Sequence, residues 1–115
     1  MRPEKEEALR EKFIEEVHTD GLKHDSGKTR WDLLPFDIIE ELAEIMTVGS
    51  IKYGDNNWQN VNKERYVAAE LRHFAKWRSG EVIDAESEKP HLAHAMVNLM
   101  FIRWIEKHEG EKNEN

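Results

Sequence analysis

The segment PHLAHAMVNLMFIRWIEKH, Pro90 to His108, constrains the fold more than any other stretch. Between Leu92 and Ile105 apolar side chains fall on nearly every side of a helix, and such a helix is stable only when other elements surround it. Pro90 suits its opening, and Gly110 lies just past its expected end near His108. Three polar residues break the pattern. His91, His94 and Asn98 stand at i, i+3 and i+7, one polar line along a helix that otherwise reads as buried. Buried polar groups need partners. A single histidine in such a place is most simply a satisfied core residue, but three aligned groups point as readily to a ligand site.

The remaining segments read as further helices. From Pro3 to about His18, Ala8, Leu9, Phe13, Ile14 and Val17 recur at helical spacing in a charged background. Residues 19–34 carry Gly21, Gly27 and several turn formers without a sustained period, an ordered loop with Trp31 and Leu33-Leu34 as its anchors. Pro35 opens a second helix with Ile38, Ile39, Leu42, Ile45 and Met46 on one stripe, ending at Gly49 or Gly54. Asn62 caps a third, with Val67, Leu71 and Phe74 as its stripe and Gly80 at its end. The tail 110–115 is too polar to pack and reads as disordered. No segment alternates with period two. The expectation is a single all-α domain over 1–115, most simply a four-helix bundle.

Charge narrows the possible partners. With 24 acidic against 17 basic residues the net charge is -7, so a polyanion is not drawn by bulk electrostatics and DNA is not an expected partner. An acidic ligand must be held by a few placed cations or through a metal ion. The absence of cysteine excludes disulfides and thiolate zinc sites and fits a reducing compartment. The opening MRPEKEEALREKF is too charged for a signal peptide, and no apolar run approaches the ~18 residues of a membrane span. The reading is a soluble cytoplasmic protein without a membrane partner.

Polar groups concentrate on the faces that helix packing would bring together. In EELAE, Glu41 and Glu44 share a face with Asp37 beside the apolar stripe. They form either a solvated acidic face or a cradle for a hard cation such as magnesium. The third helix carries Tyr66, Glu70, His73 and Trp77 on one face. Folding helices two and three about residue 58 sets Glu44 level with His73, and folding three onto four about residue 85 sets His73 level with Asn98 and Trp77 near His94. Glu81, Asp84 and Glu86 fall in the turn before Pro90, either a plain charged loop or part of the same site. Lys52 lies three turns beyond Glu41, where it meets a phosphate or pairs with an acid. Trp58 stacks on a base or plugs the bundle end, and Asn57 offers an amide to a base edge.

These residues carry a resemblance. EELAE matches the EExxE motif of the all-α nucleoside triphosphate pyrophosphohydrolases, the MazG-like superfamily. DSGKTRWDLLP, VGSIKYGDNNW, LRHFAKWRSGEVIDAES and HLAHAMVN look like the phage and bacterial dATP/dGTP diphosphohydrolase family that includes MazZ-like enzymes. The resemblance covers Lys23 to Asn98 and implies magnesium-dependent cleavage, with Mn2+ as a substitute, between the α- and β-phosphates of a purine (deoxy)nucleoside triphosphate. It implies Glu41 and Glu44 as metal ligands. For the second ligand pair it offers Glu70 with His73, which stands in the usual aspartate position, or Glu81 with Asp84 after a long spacer. It also implies a homodimer or homotetramer in a bacterial cytoplasm, encoded by a bacterium or a phage.

The chemistry is consistent with the residues present. Metal-held carboxylates neutralise phosphate charge, a glutamate or His73 takes a proton from water, and Lys28, Arg30 or Lys52 balances the phosphates. His91, His94 and Asn98 complete the substrate side. Two rivals stand beside this reading. His24-Asp25 is an HD pair, as in HD-type phosphohydrolases, but lies in a Gly-containing loop without the partners that would complete the set. An acidic helical interaction protein would instead expose its acids and show no metal response.

Overall fold

A computed structural model describes residues 3–16 and 27–112, with side chains for all of these except 11–16 and 112. The chain divides into two units, Met1–Leu34 and Pro35–Asn115. Helix α1, Pro3–Glu16, lies in the first, with a short 3-10 turn at Trp31–Leu33. Arg10 Nη1 donates to the Lys28 carbonyl at 3.1 Å. Of the loop expected over 19–34, residues 19–26 and with them the His24-Asp25 pair lie outside the described residues. Trp31 and Leu33 are 70% and 66% exposed, so they are not the anchors that their hydrophobicity suggests. Backbone bonds from Leu33 N to Arg30 O and from Leu34 N to Trp31 O hold the turn, reinforced by the Arg30–Asp32 ion pair at 2.6 Å.

The second unit contains α2 (Phe36–Tyr53), α3 (Lys63–Arg78) and α4 (His91–Lys112), with a 3-10 turn at Asn57–Asn60 between α2 and α3. The all-α, four-helix expectation holds, and among the described residues the only β pairing is an isolated bridge from Ile83 to Pro90. Each helix limit has a local cause. Gly54 closes α2 at φ 94°, a backbone conformation that costs a Cβ-bearing residue strain, and its N–H bonds the Ser50 carbonyl at 2.8 Å. Asn62 caps α3 by accepting from Glu64 N–H at 2.9 Å. Gly80, at φ 110°, turns the chain out of α3. Pro90 precedes α4, which continues through Gly110 to Lys112, so part of the segment expected to be disordered is helical.

Helix α4 is central. Both α3 and α2 pack on it, α3 along much more of its length. Ala93, Ala95, Val97 and Ile105 form its buried apolar face, and the small side chains among them let the neighbouring backbones approach closely. The opposite arc carries Leu92, Met96, Leu99 and Met100, which remain 36% to 51% exposed. Their spacing of four, three and one residues puts them on one helical face. No described helix is long and apolar enough to cross a membrane.

Candidate active site

The turn between α3 and α4 builds a polar cluster. Asp84 N donates to Lys89 O at 2.8 Å and His91 N to Val82 O at 2.9 Å, which folds residues 82–91 into a tight return. Within it Ser87 N donates to Asp84 Oδ2 at 3.1 Å, and Lys89 N to Ser87 Oγ at 3.2 Å. This return draws α3 and α4 into register. His73 therefore sits beside His91 and His94, about one turn from the Asn98 level expected from counting, because residues 79–90 leave the helical rise on which that counting rests.

The three histidines meet two acids. His91 is fully buried, its Nε2 2.5 Å from Glu81 Oε2 and its Nδ1 2.9 Å from His73 Nδ1. His73 stacks on His94 with centroids 4.5 Å apart and planes at 8°. His94 Nε2 lies 2.7 Å from Ser87 Oγ and 3.9 Å from Asp84 Oδ2. Burial, assisted by repulsion from His94 and His91, pushes the His73 imidazole down to about 4. Burial also lowers His94, against the opposing attraction of Asp84. The Ser87 side-chain hydrogen bond holds the Asp84 carboxyl below its ordinary range.

A cleft of about 800 Å³ opens beside this cluster, walled by α2, the Asn57–Asn60 turn, α3 and α4. Its volume falls within the range of small-molecule sites, roughly 300–1,000 Å³. Of the polar and aromatic residues singled out by sequence, Asn57, Trp58, Tyr66, His94 and Asn98 line it. Asn98 Nδ2 bonds back to the His94 carbonyl at 2.9 Å. Trp58 lies parallel to Phe101, centroids 4.5 Å apart and planes at 11°, and meets Trp104 edge-on at 5.0 Å. The Tyr66 hydroxyl donates to the Trp58 carbonyl at 2.9 Å. One face of the indole is thus covered from within the chain, as a plug requires.

Several candidates lie elsewhere. Lys52, Glu41, Glu44, Glu70, His73, Glu81, Asp84 and His91 do not line the cleft, and Lys28 and Arg30 belong to the first unit. Arg65 and Arg72, which sequence reasoning passed over, do line it. They sit seven residues apart on α3, two turns along one face, where an acidic chain offers cations to a ligand. In sequence they look like ordinary solvated helix charges, and their i, i+7 spacing is the available signal. Ser87 and Lys89 were also unremarked. Lys89 Nζ is 2.5 Å from Glu44 Oε2, which brings the acidic face of α2 to the start of α4.

Metal-ligand chemistry is present in kind. Glu41 and Glu44 supply oxygen donors one turn apart, as a hard cation requires, and Glu44 already holds an ammonium cation. Among the described residues no three His, Asp or Glu side chains form an assembled ligand set.

Comparison with known proteins fits an all-α domain carrying these motifs. Residues 18–115 match the family model described as dATP/dGTP diphosphohydrolase, N-terminal, and the chain belongs to that family. Its membership is consistent with the MazG-like superfamily. The chain is 38% identical over 85 residues to a dATP/dGTP diphosphohydrolase of Salmonella phage PMBT28, a match covering 74% of this chain and 29% of that relative. The chain therefore spans less than a third of that curated relative's length. No solved structure matches.

Proposed function

We propose that the domain hydrolyses a purine (deoxy)nucleoside triphosphate, dGTP or dATP, to the monophosphate and pyrophosphate with the help of magnesium. Family membership together with a nucleotide-sized cleft carrying Arg65 and Arg72 supports this reading most directly. The two guanidiniums bind phosphate oxygens and provide locally the positive charge that the chain lacks overall. Asn57 and Asn98 offer amide groups to the base and sugar, with Trp58 and Phe101 as the apolar floor. Glu41 and Glu44 would hold the metal, Lys89 giving up Glu44 as it binds. A bound magnesium ion supplies charge neutralisation at the phosphates. His73 accepts a hydrogen bond from the attacking water. The oxygen of that water bonds to the α-phosphorus as the bond to the bridging oxygen breaks, and pyrophosphate leaves with one of the water's protons while the other passes to solvent.

We also infer assembly into a homodimer or homotetramer, with a second copy covering the exposed arc of α4. That arc sits directly opposite the buried one on an otherwise apolar helix. The activity is tested with a panel of deoxy- and ribonucleoside triphosphates plus magnesium, products resolved chromatographically. Monophosphate and pyrophosphate are expected from the purine deoxynucleotides; no turnover, or release of orthophosphate or tripolyphosphate, refutes the reading.

A further inference from the structure

When His91 carries one proton, the hydrogen bonds around it dictate where that proton and the facing one sit. A carboxylate only accepts, so Glu81 requires the proton of His91 on Nε2. A neutral His91 then has a lone pair at Nδ1, which faces His73 Nδ1 at 2.9 Å. Two lone pairs cannot share that distance, so His73 must place its own proton on Nδ1. Its Nε2 is left unprotonated, and no hydrogen bond within the described residues occupies that atom.

We propose that Glu81 and His91 are positioning residues that lock His73 in its Nδ1–H tautomer, so that its Nε2 lone pair stands ready to orient a water or a donor group of the substrate. Identification of that water as the attacking nucleophile rests on the pyrophosphohydrolase reading; the tautomer itself does not. The stacking of His94 on His73 and the complete burial of His91 fix both rings. The relay asks His73 to accept a hydrogen bond, not to strip a proton from bulk water. Its part is to aim an acceptor, much as other carboxylate-held histidines present a chosen nitrogen.

Long-range proton–nitrogen correlation NMR on the 15N-labelled full chain, without nucleotide, reads the tautomer directly. His73 and His91 are expected to differ: His73 with a pyridine-like Nε2, His91 with a pyridine-like Nδ1. Glu81 is half exposed, so Glu81→Ala tests the relay without opening the core. It should convert both rings to tautomer mixtures, whereas Glu81→Gln, whose amide oxygen can still accept from His91, should keep them fixed. Turnover should fall roughly 10- to 100-fold in Glu81→Ala with little change in KM, and recover in Glu81→Gln. A wild-type His73 protonated on Nε2, or an unchanged pattern in Glu81→Ala, overturns the proposal. An intact tautomer pattern in a chain that hydrolyses no nucleotide would refute the enzymatic reading and leave the relay standing.

Discussion

His73 and His91 face each other Nδ1 to Nδ1 at 2.9 Å across the α3–α4 seam, so one of these nitrogens must donate and the other accept. Two imidazolium rings cannot occupy that geometry, and acid is therefore its natural disruptor.

The direction of the pH dependence follows from His73. Burial first, then His94 and His91, lowers it from 6.5 to about 4, with Asp84 opposing and Lys76 adding to the shift. Between those values the unfolded chain binds the proton and the folded chain does not, so stability rises with pH. The contribution is complete above about pH 6.5 and is lost as pH falls toward 4. Lowered His94 adds in the same direction. Thermal melts from pH 4 to 7.5 should show the midpoint climbing through this window in wild type and climbing less in His73→Gln. Equal slopes would remove His73 as the cause.

Under the proposed reaction, Glu41→Gln keeps the shape of the side chain and deletes the charge. Turnover should fall by at least about a hundredfold, since an interaction of the metal with the developing charge is lost, while helical circular dichroism is unchanged. Full activity would exclude Glu41 as a ligand, and loss of helical signal would assign it a structural role.

Trp58 is spent partly on Phe101 and Trp104. Trp58→Ala should cost about 2–3 kcal/mol, below the range for a fully buried aromatic because the residue is only partly buried. Denaturant titration measures this. A raised KM with no loss of stability would instead mean that the ring serves the base alone.

Arg72→Ala should raise KM for a triphosphate about tenfold or more, the expected loss for one charge-assisted hydrogen bond, and should weaken its salt dependence. Arg65→Ala should act in the same way. Steady-state kinetics at two ionic strengths decides, and unchanged KM in both variants would place the phosphates elsewhere.

If a second copy covers the α4 arc, Leu99→Glu should shift the assembly toward monomer in light scattering while leaving the monomer's helical content intact. Wild type that is monomeric at all accessible concentrations would refute the interface.

The helices were legible because their signals are local: Pro35, Asn62, Gly80 and Pro90 mark limits that backbone chemistry enforces whatever the tertiary context. The polar line of α4 was legible too, since three polar groups on an all-round apolar helix demand partners. Which partner each takes was not, because it depends on the depth of the turn between α3 and α4. Residues 79–90 are not helical, so counting across them at helical rise misses by a full turn, Asn98 in place of His91 and His94. The partnership of Trp58 with Phe101 joins residues distant in sequence and leaves no trace in spacing. Arg65 and Arg72 passed unnoticed because a cation facing a cleft and one facing open water are the same letter in a charged helix.

The tight return between α3 and α4 has a consequence for how the molecule assembles. His73, Glu81, Asp84, Ser87, His91 and His94 all fall in one continuous stretch closed by a short loop, so bringing them together costs little chain entropy and needs no distant segment. The cleft, by contrast, is complete only once α2 docks on α4. The histidine cluster is therefore expected to form early in folding and to persist through local openings that melt the cleft. A chain that has lost its cleft would still carry its relay.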